Sequence, residues 1–169
     1  METRADQSFV ISRGAYDPAL RIEETPAILA VVQQAIAREF GVLYFGAREP
    51  EQGRGQQGLH QDWMRRSPSE ATQGLADVAT VLAFLDDFGP DNGATGVIPG
   101  SHRWPRPLPK ALQQAQATHP DEVQVEGSAG DVLIFNVHLW HRGRENRSGV
   151  PRRAIQVQFC ALDRMPPTT

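Results

Sequence analysis

The sequence has a single cysteine, few aromatic residues and no long apolar run. Cys160 has no partner within the chain, which excludes an intramolecular disulfide framework and is typical of a reducing compartment, so we expect a cytoplasmic location. No apolar segment approaches the roughly 20 residues of a membrane-spanning helix. The N-terminal METRADQSFV also lacks the apolar core of a signal peptide. We therefore predict a chain without membrane association.

The chain also lacks an excess of charge of either sign. Lysine and arginine number 17 against 20 aspartates and glutamates, for a net charge of −3. This balance lacks the concentrated basic surface that nucleic-acid binding requires. Arginines do cluster between Arg142 and Arg153, but glutamate and serine interrupt them, which suits either a small anionic ligand or a solvent-exposed face. The partner we expect is a small-molecule substrate.

Glycine and proline, by contrast, are plentiful and spread along the chain, at 15 and 13 of 169 residues. They predict many turns between short elements. One helix is predicted over Pro26 to Phe40, with Thr25 as its N-cap and Gly41 as its stop. A second, short helix is predicted over 109–117. We expect residues 1–169 to form one domain, with a weakly patterned segment at 1–24 and a tail at 163–169.

The remaining patterned segments have the composition of β-strands. These predicted strands are 41–46, 78–87, 123–127, 132–141 and 153–162. Residues 78–87 are apolar at both parities, which indicates a strand covered on both faces, whereas 153–162 alternates with Ile155, Val157 and Phe159 on one face. Because strands do not alternate with helices, the pattern predicts a mainly β sandwich or barrel with flanking helices.

Residues 58–63, GLHQDW, contain the first candidate site. In an extended segment His60 and Asp62 point to the same side, because strand side chains alternate with period two. A third ligand could come from His138 or His141 in the predicted strand 132–141. His141 continues the parity of the apolar residues of that strand and is therefore expected to point inward, so we prefer it to His138.

Two histidines and one carboxylate that leave coordination positions open are the facial triad of non-haem Fe(II) oxygenases. Three protein ligands occupy one face of the octahedron, and the other face stays free for a co-substrate and O₂. A His-x-Asp tripeptide taken alone is more often a surface turn or a hydrogen-bonded pair, so the tripeptide needs support from the rest of the chain.

That support comes from three ordered blocks. They are GLHQDW, VLAFLDDFGPDNGATGVIPGSHRW and GDVLIFNVHLWHRGRENRSGVPRRAIQVQF. From about Pro26 to Leu162, these blocks and their spacing resemble the phytanoyl-CoA dioxygenase family of Fe(II)/2-oxoglutarate-dependent oxygenases. The resemblance implies a double-stranded β-helix, or jelly roll, which agrees with the strands and turns predicted above.

The resemblance also implies roles for particular residues. His60, Asp62 and His141 would be the iron ligands and the catalytic centre. The family's arginine that binds the distal carboxylate of 2-oxoglutarate lies eleven residues after the distal histidine, which is Arg152 here. Arg153 is its rival, since strand parity points the two in opposite directions. Either arginine could instead be a solvated strand end.

The implied activity is hydroxylation, or another oxidation, of a C–H bond in a small molecule. It uses Fe(II), O₂ and 2-oxoglutarate, which is decarboxylated to succinate. Related halogenases have a small residue at the position of Asp62, so the carboxylate here favours hydroxylation. Two alternatives stay open: a non-catalytic dioxygenase-like binding module, and another metal-dependent enzyme on a cupin-like roll.

Several other residues could have either a functional or a structural role. Trp63 and Trp140 flank metal ligands and could line a substrate pocket, although core packing is at least as common. His102 is expected to brace a loop, with the mouth of the site as the alternative, and Asn146 to form a turn. Gln57 and Gln61 could bind a ligand or face solvent. No functional role is predicted for His119.

The chain departs from the family pattern in two places. Only 59 residues precede His60, fewer than the family usually has, which predicts a sheet edge that is open or is covered by residues 1–24 or by a second subunit. A homodimer would provide such cover. Gly96 replaces a larger, often basic residue, which we expect to alter the substrate side.

Overall fold

The computed structural model describes residues 21–63 and 76–166, together with the backbone of 2–3 and 8–10. The predicted segment 1–24 and tail 163–169 therefore lie partly outside the described residues. Within this part of the chain, two antiparallel sheets carry one α-helix and several short 3-10 helices.

The larger sheet has six strands and the smaller sheet three. The strands, in chain order, are β1 (Glu2–Thr3), β2 (Ser8–Val10), β3 (Phe40–Arg48), β4 (Val78–Phe84), β5 (Gly96–Val97), β6 (Val123–Gln124), β7 (Val132–Asn136), β8 (His141–Arg142) and β9 (Ala154–Ala161). The larger sheet has the order β1-β2-β3-β9-β4-β7, and the smaller sheet has the order β6-β5-β8. All five predicted strands are present, with shifted bounds.

The helix α1 spans Pro26–Ile36 and is shorter than predicted. It ends because Ala37 takes a left-handed conformation, with φ of 54°, and donates its N–H to the carbonyl of Gln33. Phe40 already pairs with Ala161 in the larger sheet, so strand pairing wins over the helical preference of residues 37–40. Thr25 occupies the predicted N-cap position, but its side chain makes no hydrogen bond to the first turn.

The larger sheet is covered on both faces. On its outer face, α1 packs through Ile28, Val32 and Ile36 against Val81 and its register partner Val157. On its inner face, Leu82 and Phe84 meet residues of the smaller sheet and its loops. This explains why β4 is buried along its whole length, as the apolar run predicted.

The predicted strand 132–141 is two strands. β7 ends at Asn136, the chain turns through Val137 to Leu139, and β8 begins at His141 in the other sheet. The side chain of Asn136 accepts the N–H of His138 and stabilises the turn. Parity therefore does not run unbroken to His141, although His141 is buried as expected.

Three further bounds differ from the sequence prediction. The predicted helix 109–117 is the 3-10 helix Lys110–Gln113, and the predicted strand 123–127 is reduced to β6. The predicted strand 78–87 ends at Phe84, where the chain bends toward Asp86.

One edge of β3 is covered by the N-terminal segment. The backbone of Ser8–Val10 pairs antiparallel with Gly46–Arg48. This agrees with the alternative in which residues 1–24 cover the edge, whereas the homodimer stays a prediction. No helix among the described residues has the length and apolar character needed to cross a bilayer.

Candidate active site

The two histidines of the candidate site meet through their backbones. His60 and His141 form an antiparallel bridge in which the N–H of His60 donates to the carbonyl of His141 at 2.9 Å, and the reverse bond is 3.0 Å. The chain after His60 is fixed as well, because the N–H of Asp62 donates to the carbonyl of Val137. Backbone pairing thus brings GLHQDW to the start of β8.

Both imidazole rings are oriented by backbone carbonyls. Nδ1 of His60 lies 3.0 Å from the carbonyl oxygen of Gly58, and Nδ1 of His141 lies 2.9 Å from that of Leu139. A carbonyl can only accept, so Nδ1 carries a proton in each ring, and a ring in its neutral form then offers the lone pair of Nε2 to a metal ion. These Nε2 atoms lie 3.8 and 3.4 Å from Oδ1 of Asp62.

The two carboxylate oxygens of Asp62 have different partners. Oδ2 accepts hydrogen bonds from the Thr80 hydroxyl at 3.0 Å and from the Gln158 amide at 2.9 Å. Oδ1 is the oxygen that faces both histidines. The hydrogen bonds to Oδ2 fix the carboxylate in an orientation that presents one oxygen to an ion, an arrangement typical of metal ligands.

Burial and charge shift the protonation of this cluster. Burial, followed by repulsion from His141, lowers the pKa of His60 to about 4. Burial opposes ionisation of Asp62, but hydrogen bonding to His141 and the charges of His141 and His60 outweigh it and lower the pKa of Asp62. Neutral imidazole and ionised carboxylate are the states that bind a metal.

The donor set fits a ferrous ion. One ligand atom from each of His60, Asp62 and His141 can be chosen so that all lie within 4.8 Å of one another. Imidazole nitrogens with one carboxylate oxygen suit iron, and no thiolate is present in the cluster to favour zinc. His138 is not part of it, since its Nδ1 lies 2.9 Å from the carbonyl oxygen of Trp63.

A cavity that is partly open to solvent lies beside the two histidines and is lined in part by Arg152. Arg152 is 5% exposed, and its Nε has no hydrogen-bond partner. Its guanidinium carbon lies 5.0 Å from the ring centre of Phe88. Burial, followed by the charge of Arg48, lowers the pKa of Arg152 to about 10. A buried cation with an unpaired donor is suited to bind an anion.

Arg153 lies on the opposite face of the chain. Its guanidinium makes a two-pronged ion pair with Asp86, at 2.9 and 2.8 Å, and half of its side chain is exposed. The hydrogen bonds from Arg153 lower the pKa of Asp86. Of the two neighbouring arginines, Arg152 is therefore the one that faces the cavity.

A second opening lies next to His60. It is lined by His60, Gln61, Pro107, Leu108 and Gln113. The amide of Gln61 donates to the carbonyl of His138 at 2.7 Å, which fixes this wall. His60 thus borders both the cavity of Arg152 and a second, more apolar opening.

Four further polar residues surround the site, and no sequence motif indicated them. Thr80 and Gln158 bind Asp62, while Arg48 and Gln156 line the cavity with Arg152. A signal was present in β9, since Gln156 and Gln158 share the parity of Arg152. These polar residues did not indicate an inward-facing side of the strand, because the polar face of a strand is usually exposed to solvent.

Most of the other residues that the sequence singled out pack in the core or hydrogen-bond to the backbone. Trp63 packs beside Val78 and Val137, and Trp140 is buried against Leu59 and Ile98. Both tryptophans therefore pack in the core. The side chain of Gln57 accepts the N–H of Gly143 and also lines the cavity of Arg152.

The remaining candidates lie in turns and loops. Asn146 is buried in its turn, where its side chain donates to the carbonyls of Pro50 and Val150. His102 lies in the 3-10 helix Ser101–Arg103. The preceding Ser101 accepts the N–H of Trp140, which supports the chain next to His141.

Gly96 leaves room for a buried ion pair. It pairs in register with Arg142, whose guanidinium binds the carboxylate of Glu122. A Cβ atom at position 96 would lie 2.2 Å from Oε1 of Glu122. A side chain at position 96 would therefore displace the carboxylate of Glu122 from its present position beside Arg142.

The chain is similar in sequence to several curated proteins. It is 34% identical to an uncharacterized protein of Mycobacterium tuberculosis over 106 residues, which is 62% of this chain and 34% of that protein. It is 31% identical to the dioxygenase cdmD of Talaromyces verruculosus over 136 residues, which is 77% of this chain and 43% of that protein. The chain thus spans between a third and a half of the length of these relatives.

Solved structures share the fold. HygX from Streptomyces hygroscopicus, solved with nickel, 2-oxoglutarate and hygromycin B bound, matches with a TM-score of 0.74 and 19% identity, covering 92% of this chain and 70% of HygX. AviO1 from Streptomyces viridochromogenes matches with a TM-score of 0.69 and 22% identity, covering 100% of this chain and 78% of AviO1. These likenesses confirm the predicted jelly roll.

The family itself is identified by a model that spans most of the chain. Residues 21–154 match the family model of phytanoyl-CoA dioxygenase. The matched region contains the bridged histidines, Asp62 and Arg152. The chain therefore belongs to the phytanoyl-CoA dioxygenase family.

Proposed function

We propose that the protein is an Fe(II)/2-oxoglutarate-dependent dioxygenase that oxidises a C–H bond of a small molecule. The observation that carries the proposal is the position of Arg152, a buried cation with an unpaired Nε, in the same cavity as His60 and His141. A metal-binding cluster and a carboxylate-binding arginine in one cavity are what an enzyme needs to bind a 2-oxo dicarboxylate beside iron.

His60, Asp62 and His141 would hold the iron. Their Nε2 atoms and Oδ1 are the donors, and the bonds of Nδ1 and Oδ2 to the surrounding protein fix these donors in place. Arg152 would bind the distal carboxylate of 2-oxoglutarate. Iron, 2-oxoglutarate and O₂, when bound, supply the oxidising chemistry together with succinate and CO₂ as products.

The low pKa of His60 supports this assignment. Because burial disfavours imidazolium, the ring stays neutral near pH 7 and requires no deprotonation before it binds iron. Asp62 is ionised over the same range. The carboxylate also occupies the position that a halide needs in related halogenases, so the proposed reaction is hydroxylation.

The substrate would enter through the opening beside His60. Pro107 and Leu108 give this opening an apolar wall, and Gln61 and Gln113 add carboxamides. A small molecule there would lie next to His60, in a separate opening from the one that Arg152 lines. The proposed location is the cytoplasm, which is supported by the single, buried Cys160.

The test begins with cosubstrate binding in the absence of O₂. Protein loaded with Fe(II) should bind 2-oxoglutarate with a weak visible charge-transfer band, and Arg152→Leu should weaken that binding at least about tenfold. With O₂ and ascorbate, a panel of small molecules should then reveal at least one that stimulates succinate formation.

Two results would contradict the proposal. Absence of the band in the wild-type protein, with His141→Ala changing neither iron nor 2-oxoglutarate binding, would reject the site. A formed site that yields no succinate with any member of a broad panel would favour a non-catalytic binding module.

A further inference from the structure

Arg48 lies on the same wall of the cavity as Arg152. Arg48 on β3 is the register partner of Ala154 on β9. Arg152 and Gln156 lie two residues to either side of Ala154 and share its parity. All four residues line the same cavity as His60 and His141.

The Arg48 side chain is directed by a buried partner. Its Nε donates to Oε1 of Gln156 at 2.5 Å, and Gln156 is 3% exposed. Gln156 in turn is fixed in the middle of β9, opposite Leu82 and Gly46. The guanidinium of Arg48 is thereby held on the inner face of the larger sheet, where Arg48 lines the cavity.

The two arginines give the cavity a concentrated positive charge. The charge of Arg48 is one of the causes that lower the pKa of Arg152, and it also acts on His60. No aspartate or glutamate is among the described residues that line the cavity. An anion bound in the cavity beside both guanidinium groups would be attracted by both of them.

We propose that Arg48 is a second carboxylate-binding residue of the cosubstrate cavity, which together with Arg152 selects a dicarboxylate over a monocarboxylate 2-oxo acid. This inference rests on the proposed function. Arg152 reaches the carboxylate from the end of β9, and Arg48 reaches it from the neighbouring strand. Two guanidinium groups provide enough donors to satisfy both carboxylate oxygens.

The test compares two ligands that differ at one end. These ligands are 2-oxoglutarate and 2-oxopentanoate, which has a methyl group in place of the distal carboxylate. Affinities are measured with Fe(II)-loaded protein in the absence of O₂, by titration of the visible band and by calorimetry. Arg48→Gln should raise the Kd for 2-oxoglutarate about tenfold or more and change that for 2-oxopentanoate by less than about threefold.

Arg153→Gln is the matched control. It removes the same charge from the residue next to Arg152, but Arg153 binds Asp86 at the surface. This variant should leave both affinities within about twofold, since exposed charges are screened. Iron content and melting temperature show that each variant is folded. If Arg48→Gln is not, Arg48→Met keeps the packing of the stem and removes the charge.

Three results would overturn the inference. In the first, Arg48→Gln leaves the affinity for 2-oxoglutarate unchanged. In the second, it lowers the affinity for both ligands equally, as expected if Arg48 has only a structural role. In the third, Arg153→Gln produces the same loss, which would indicate a general effect of net charge. Failure of the proposed function is distinguishable from all three, because the wild-type protein would then not bind 2-oxoglutarate at all.

Discussion

His60 and His141 face each other across an antiparallel bridge, and each donates its backbone N–H to the carbonyl of the other. Their ring centres are 4.4 Å apart. The spacing of the two imidazole rings is therefore set largely by backbone hydrogen bonds, which do not depend on the rotamers of long side chains.

Removal of the distal histidine should abolish iron binding. His141→Ala deletes one of three donors, and we expect the affinity for Fe(II) to fall by more than about 100-fold, since loss of a supporting residue alone costs roughly 10- to 100-fold. Calorimetric titration of the metal-free protein with Fe(II) in the absence of O₂ measures the change. The control is His138→Gln, which should retain iron within about threefold, and the opposite ranking would assign the metal to His138.

The hydroxyl of Thr80 should contribute to iron affinity although it does not touch the metal. Thr80→Val removes a hydrogen bond to Oδ2 of Asp62, so the carboxylate is less firmly oriented. We expect Fe(II) binding to weaken about tenfold. Thr80→Ser keeps the hydroxyl and should bind iron as the wild type does. Equal losses in both variants would point to packing of the threonine methyl group instead.

The metal-free protein should lose stability as the pH falls from about 6.5 to about 4. The unfolded chain protonates His60 near its ordinary pKa, whereas the folded protein protonates it only near 4. Between these values the unfolded state binds more protons, so acidification lowers the free energy of unfolding. The lowered pKa of Asp62 continues this trend at more acid pH. Urea denaturation across this pH range measures the slope.

His60→Gln is the control for the pH prediction. Glutamine does not titrate, so the decline in the free energy of unfolding between pH 6.5 and 4 should be shallower in this variant. An identical slope in the two proteins would mean that other groups cause the acid sensitivity.

The buried ion pair beside the site should be important for stability. Glu122→Gln leaves the guanidinium of Arg142, which is fully buried, without its counter-charge. Breaking such a pair costs about 3–5 kcal/mol. The free energy of unfolding, measured in urea, should fall by that amount. Because Arg142 follows His141 directly, iron binding should weaken as well.

The exposed pair of Arg147 and Asp91 provides the comparison. Both side chains are more than 60% exposed, so Arg147→Ala should change the free energy of unfolding by about 1 kcal/mol or less. A loss as large as that of Glu122→Gln would show that burial does not set the difference between the two pairs.

Much of the site could be predicted from local sequence. The donors of GLHQDW, the inward position of His141 and the spacing to Arg152 all follow from short motifs and from resemblance. The structure brings His60, Asp62 and His141 together and places Arg152 in the cavity that both histidines line. Their roles as ligands and as a carboxylate-binding residue stay predictions that the experiments above test.

The supports of the site could not be predicted in this way. Thr80, Gln158 and Arg48 come from three strands that are far apart in sequence, and their contacts depend on the register of β3, β4 and β9. Period-two alternation tells which residues share a face, but it does not tell which strand lies beside which. The polar parity of β9 was therefore visible, whereas its partners were not.

The sequence by itself determined the kinds of residue that make the chemistry, the apolar strand β4, and the turns that separate short elements. Only the tertiary structure decided where α1 ends, where the predicted strand 132–141 breaks, and which of Arg152 and Arg153 is buried. The physical reason is competition between local and distant interactions. Pairing of Phe40 with Ala161, and of His60 with His141, satisfies backbone groups across the fold and overrides the local preference of the chain.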